Sequence, residues 1–192
     1  MTIDNLGDWK RTHYSTDIAP QLDGKEVVLF GWVQDLRDLG KILFMTVRDK
    51  NGVVQITVPK TKASKELLEK ISRIGKQFAV GLKGVVHTTK EAPQGVEVVP
   101  SEVKILGEVS YPLPLDPTGR VPAEIDVRLN ARILDLRRPE PTAIFNVRNE
   151  VLIATRNFLD RQGFVEIHTP RLILGATEGG AALFPVEYFE GK

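Results

Sequence analysis

Apolar positions along the chain fall into two regimes. From Glu26 to Leu106 they cluster in short runs, "EVVLFGWVQDLRD", "KILFMTVRD", "VVQITV", "QFAVGLKGVVH" and "GVEVVPSEVKIL", each rich in the β-branched and aromatic residues of strands. Asn51-Gly52, between the second and third runs, predicts a hairpin, since both residues tolerate positive φ. Between the third and fourth runs, "SKELLEKISRIG" sets Leu67, Leu68, Ile71 and Ile74 on one helical face, with Ser64 as N-cap. Farther on, "PTAIFNVRNEVLIATRNFLDRQG" spaces Ile144, Val147, Val151, Leu152, Phe158 and Leu159 as a long amphipathic helix, with prolines before it and Gly163 after it.

Five strands with one helix after the third is the order of an OB-fold, a small barrel whose exposed sheet face commonly binds oligonucleotides. A different small β-barrel satisfies the same pattern. "YPLPLDPTGRVP" holds four prolines in twelve residues, which fix φ and delete backbone donors, so an extended linker is expected there. The resulting division is a mainly β domain over 1–108, a proline-rich linker or hinge over 109–140, and an α+β part over 141–192. The stripe on the long helix needs a covering surface that about thirty following residues can scarcely supply.

Composition narrows the chemistry. With 192 residues, 42% hydrophobic and 27% charged, the chain has the make-up of a folded globular protein. No apolar run is long enough to span a membrane, and "MTIDNLGDWKRTHYS" lacks a signal-peptide layout, so a cytoplasmic location without a membrane partner is expected. The absence of cysteine excludes disulfides and thiolate chemistry. A net charge of +1 gives no global signature of nucleic-acid binding, and local residues must carry any such reading.

On the second run Leu43, Met45 and Val47 share one face, and on the third Val54, Ile56 and Val58 do the same; Phe44 and Gln55 then project outward. An exposed ring beside an amide can stack on a base and bond its edge. Pattern alone favours a simpler reading, a surface ring covered by a loop. Arg37 lies near the end of the first run, where a long barrel strand must bend or bulge, so its facing cannot be read from parity. His13, His87 and His168 lack metal-ligand spacing, and no metal site is expected. There is no phosphate-loop or dinucleotide fingerprint. Arg132, Arg137 and Arg138 in "LNARILDLRRP" read as a solvated charged turn. "GATEGGAALFPVEYF" brackets Glu178 with glycines, and alone it reads as a tight connection between strands.

Taken in series, "GWVQDLRDLGKILFMTVRDKNGVVQITV", "LPLDP", "RILDLRRP", "GFVEIHTPRL" and "ATEGGAALFPVEYF" resemble the class II aspartyl-tRNA synthetases of archaeal type over nearly the whole chain. The resemblance implies an OB-fold that binds the tRNA anticodon, with Phe44 stacking on the central base and Gln55, Arg37 and Glu97 contacting base edges. It implies that "GFVEIHTPRL" is motif 1, with Gly163, Phe164 and Pro170 at a homodimer interface that covers the long helix. The stretch beyond the hinge would then be the start of the class II catalytic domain, an antiparallel sheet with helices. "ATEGG" would be the loop that closes over aspartate, with Glu178 meeting its ammonium group and Gly179 and Gly180 allowing movement. The family reaction uses ATP and Mg2+ to make aspartyl-adenylate and then charges tRNA. Motifs 2 and 3 are not in the sequence, so no catalytic residue is expected within this chain, which reads as an N-terminal portion inactive alone. At the positions of Gln34 and Pro93, family members that select only aspartate tRNA tend to carry Trp and Lys; their absence implies an enzyme that also accepts asparagine tRNA. The alternatives are an asparaginyl-tRNA synthetase portion, a non-catalytic tRNA-binding or dimerisation protein, and a general single-strand binder.

Overall fold

The computed structural model describes residues 3–170. Two compact units emerge, Met1–Thr142 and Ala143–Lys192. In the first, β1 (Glu26–Asp38), β2 (Ile42–Arg48), β3 (Val53–Pro59), β4 (Ala79–Thr88) and β5 (Val96–Gly107) close a barrel in the order β1-β2-β3-β5-β4. All neighbours are antiparallel except β3 and β5, which meet in parallel through Ile56 and Val98. This is the OB-fold arrangement read from the sequence, with α1 (Lys65–Ser72) between β3 and β4.

Alternation builds the interior. Leu43, Met45 and Val47 of β2 and Val54, Ile56 and Val58 of β3 are buried, joined by Val80, Leu82 and Val86 of β4 and Val96, Val98, Val103 and Ile105 of β5. The Ser64 hydroxyl accepts a hydrogen bond from the Leu67 N–H at 3.1 Å, satisfying one orphan donor of the helix start. Leu67 and Ile71 then seat α1 on the barrel core.

The expected hairpin joins β2 to β3, and one expectation, that of an extended linker, needs correction. The turn between β2 and β3 does not use positive φ at Asn51 or Gly52. Asp49 organises it instead: its N–H bonds the Gly52 carbonyl at 3.0 Å, and its carboxylate accepts from the Asn51 and Gly52 N–H groups at 2.8 and 3.1 Å. The proline-rich segment is not simply extended. Asp116 accepts from the N–H groups of Thr118, Arg120 and Val121 and from the Thr118 hydroxyl, which coils the chain locally, and Leu115 is buried.

Beyond it lie the short helices α2 (Ile125–Asn130) and α3 (Arg132–Asp135), then α4 (Pro139–Arg161). Here a second expectation fails. The arginine-rich turn is not a solvated one: Asp135 is fully buried, held by Arg128 at 2.9 Å, Arg132 at 2.8 Å and Arg138 at 3.6 Å. One carboxylate pulls the three guanidinium groups together across a turn too tight to be read from charge spacing.

In the second unit α4 runs on to Arg161 and stops at Gly163, φ +82°. The Phe164 N–H bonds the Leu159 carbonyl at 3.1 Å and the Gly163 N–H bonds that of Asp160 at 2.9 Å, a Schellman termination that requires a left-handed residue. Ile144, Val147, Val151, Leu152, Phe158 and Leu159 are all exposed. No helix among the described residues is long and apolar enough to cross a membrane.

Candidate nucleic-acid interface

The outer face of the barrel acquires its chemistry from an irregularity in β1. Val27, Leu29 and Val33 point inward at odd positions, and continued alternation would turn Arg37 inward as well. Pairing with β2 instead jumps from Val33↔Val47 to Asp35↔Thr46. Gln34 is the extra residue of a β-bulge, and it reverses parity downstream. Leu36 now packs against the core while Asp35 and Arg37 face out. β1 passes close to β2 at Gly31, where a Cβ would lie 2.4 Å from the Arg48 carbonyl oxygen, so only glycine fits this approach.

Register then assembles one row across three strands: Arg37 opposite Phe44, and Phe44 opposite Thr57. Thr46 and Gln55 form the adjacent pair. The parallel β3–β5 contact adds Glu97, whose Oε2 accepts from the Thr57 hydroxyl at 2.5 Å and from Gln55 Nε2 at 3.3 Å. Gln55 Nε2 also lies 3.4 Å from the Thr57 oxygen. Phe44 is half-buried, and Arg37 is exposed with no hydrogen bond or ion pair among the described residues. The row therefore offers a ring face, an uncommitted guanidinium, and an amide and a carboxylate already tied to each other. Thr57 was not singled out from the sequence. It lies two residues beyond Gln55 on the same face, and only the closure of β3 on β5 reveals its partner.

Gln34 and the loop that holds Pro93 both meet the Arg48–Val53 end of β2 and β3. Gln34 Oε1 accepts from Arg48 Nε at 2.6 Å, Arg48 pairs with Val53, and Gln94 Nε2 donates to the Val53 carbonyl at 3.0 Å. Pro93 sits exposed in the same β4–β5 loop. Arg48 also donates to the Arg137 carbonyl at 3.5 Å, and the Arg137 guanidinium lies 4.1 Å from the Trp32 ring centroid. Burial alone holds Arg137 below the usual guanidinium pKa.

Flanking carboxylates are held ionised. The Lys76 hydrogen bond at 2.8 Å, opposed by burial and assisted by Arg120 at 2.9 Å, keeps Asp35 below the usual carboxylate range. Lys60 and the Gly40 N–H do the same for Asp38. These pairs consume cations that would otherwise face a phosphate backbone, and Arg37 escapes them.

Gly163, Phe164 and Pro170 are exposed in the second unit, where a groove of about 570 Å³ is lined by Leu152, Arg156, Leu159 and Phe164 among others. Glu178, Gly179 and Gly180 lie outside the described residues. Among the described residues no group of three His, Asp or Glu side chains could hold a metal ion.

Residues 27–106 match the OB-fold nucleic acid binding domain family, and residues 124–190 match the tRNA synthetases class II (D, K and N). Similar curated proteins include the Aspartate--tRNA(Asp/Asn) ligases of Methanothermobacter thermautotrophicus, 51% identical over 96% of this chain and 42% of that protein, and of Methanopyrus kandleri, 52% identical over 92% and 41%. The chain thus spans about two fifths of these relatives. Among solved structures, asparaginyl-tRNA synthetase from Pyrococcus horikoshii complexed with asparaginyl-adenylate superposes with a TM-score of 0.81 at 35% identity, over 94% of this chain and 41% of that one. Aspartyl tRNA synthetase from Entamoeba histolytica gives 0.76 at 27%, over 91% and 43%.

Proposed function

We propose, starting from the fact that this chain belongs to the class II tRNA synthetases of the D, K and N group, that its barrel binds a tRNA anticodon for an aspartate-tRNA ligase. The observation that carries this is the row Arg37, Phe44 and Thr57, with Gln55 and Glu97 beside it. A half-exposed ring can stack on an unpaired base, an interaction of about 1–3 kcal/mol per base. The polar groups around it can read that base's edge, and single-stranded loops are where RNA exposes such edges. Arg37 supplies donors, and Gln55 and Glu97 supply acceptors.

For the intact enzyme the proposed reaction is ATP-dependent formation of aspartyl-adenylate followed by transfer to tRNA, with Glu178, Gly179 and Gly180 closing over the amino acid. The exposed apolar positions of α4, with Gly163, Phe164 and Pro170, are proposed as a homodimer surface, since a second copy supplies the apolar cover these side chains lack. Acceptance of asparagine tRNA is proposed as well. Pro93 offers no side-chain donor, and Gln34 is already bonded to Arg48. The similar archaeal ligases carry both tRNAs in their names.

The test is binding of the 192-residue chain to an RNA hairpin bearing the aspartate anticodon, against the same hairpin with a scrambled loop. The parent is expected to prefer the anticodon loop. Phe44→Ala should weaken that binding at least tenfold with no more than a small change in thermal stability, since the ring lies outside the barrel core. Equal binding of both hairpins by the parent would refute the proposal. The likeness to an asparaginyl-tRNA synthetase supports a second reading, that the intact enzyme activates asparagine; amino-acid-dependent pyrophosphate exchange distinguishes the two.

A further inference from the structure

We infer that Thr57 is a positioning residue that locks the Gln55 amide in one orientation and so fixes which hydrogen-bonding edge the barrel face presents. The inference rests on the anticodon-binding reading above and deepens it. The argument begins with donor and acceptor inventories. A carboxylate only accepts, so the Gln55 atoms facing Glu97 at 3.3 Å are the amide NH2 group. The Thr57 hydroxyl has a single proton, and it is donated to Glu97 Oε2 at 2.5 Å. Toward Gln55, at 3.4 Å, that hydroxyl therefore offers only a lone pair. Both neighbours demand the NH2 end of the amide. The opposite end, the Gln55 carbonyl, accepts no hydrogen bond among the described residues. It is the free acceptor of the row.

Burial makes the lock firm. Thr57 is only 5% exposed although it points out of the barrel, so water competes poorly for its hydroxyl, and a short bond to a charged acceptor is among the stronger ones. Hydrogen bonds to Thr57 and Gln55 are all that Glu97 makes among the described residues. Without the hydroxyl the carboxylate loses its shorter tether and can swing away from its longer 3.3 Å contact with the amide NH2, and the amide can then turn either end outward. A fixed outward carbonyl accepts from the ring N–H of uracil, whereas cytosine presents a bare ring nitrogen at that place and can meet the carbonyl only by shifting to offer its exocyclic amino group. A rotating amide serves both.

The experiment uses the 192-residue chain, two RNA hairpins that differ only in uridine or cytidine at the middle of the anticodon loop, and Thr57→Val and Thr57→Ser variants. The parent is expected to prefer the uridine hairpin. Thr57→Val should reduce that preference by about tenfold, the order of one hydrogen-bonding contact, and Thr57→Ser should restore it. A general packing defect would instead weaken both hairpins together and leave their ratio unchanged. The side-chain amide signals of Gln55 in 15N NMR provide a readout without RNA: well separated and protected from exchange in the parent and Thr57→Ser, collapsed toward free-amide values in Thr57→Val. An unchanged hairpin ratio in a folded Thr57→Val protein whose parent does prefer the uridine hairpin, or unchanged Gln55 amide signals, would overturn the inference. Collapse of those signals in a protein whose parent favours neither hairpin would support the lock and refute base reading by this face.

Discussion

Replacement of Asp135 by alanine tests how the arginine-rich turn is held. Asp135 has no exposed surface, and its three partners differ sharply in burial: the Arg138 side chain is 6% exposed, whereas that of Arg132 is 39% exposed. Arg132 can turn to water, so its bridge contributes about 0–1 kcal/mol. Arg138 cannot. Its Nε and Nη1 atoms are buried without a hydrogen bond, and Asp135 is its one counter-charge among the described residues. Asp135→Ala leaves a buried guanidinium uncompensated, which costs about 3–5 kcal/mol, while Arg132→Ala should cost no more than about 1 kcal/mol. Urea denaturation followed by tryptophan fluorescence is a suitable assay, because Trp32 lies under Arg137, one residue from Arg138. Hydrogen exchange should show the loss concentrated over residues 125–138, with the barrel strands still protected. A loss below about 1 kcal/mol for Asp135→Ala, or one equal to that of Arg132→Ala, refutes the view that a buried ion cluster anchors this segment.

Two further outcomes are expected. Gly31→Ala places a Cβ 2.4 Å from the Arg48 carbonyl oxygen and 2.7 Å from Val47 Cγ1; overpacking against main chain costs about 1–3 kcal/mol, and an unchanged Tm would show that β1 does not approach β2 as closely as described. Asp49 is opposed by burial, but hydrogen bonds from the Ser15 hydroxyl and N–H and from the Asn51 and Gly52 N–H groups outweigh it and hold its pKa below the ordinary 3.8. A lowered folded pKa contributes stability that is complete above the unfolded value and disappears as pH falls through the folded one. Acid titration of stability should therefore show a loss beginning below about pH 4 that Asp49→Asn lacks; identical acid profiles would refute this.

The barrel was legible because its code is local. Alternating residues 43–47 and 54–58 specify an inside and an outside, and Ser64 followed by Leu67 and Ile71 specifies a capped helix, so strands and helix appear where the pattern puts them. What could not be read depends on backbone turns that bring together partners no periodicity or composition rule pairs. Asp135 looks like one more charged residue in "LNARILDLRRP" until the backbone folds three arginines around it. Asp116 likewise satisfies backbone donors up to five residues away, a local motif that a count of prolines does not reveal.

The interface lies between these cases. Phe44 and Gln55 follow from strand parity, but Arg37 reaches their face only because Gln34 is inserted between Val33 and Asp35, and no composition rule locates that insertion. Glu97 arrives through the parallel meeting of β3 and β5 at Ile56 and Val98, a contact between segments about forty residues apart. The bulge and the closure are consequences of curling a long strand into a small barrel: β1 must serve both β2 and β4, and it bends to do so. The irregularity demanded by closure is thus the one that delivers a guanidinium to the ring. The chemistry of the face is a by-product of how the barrel shuts.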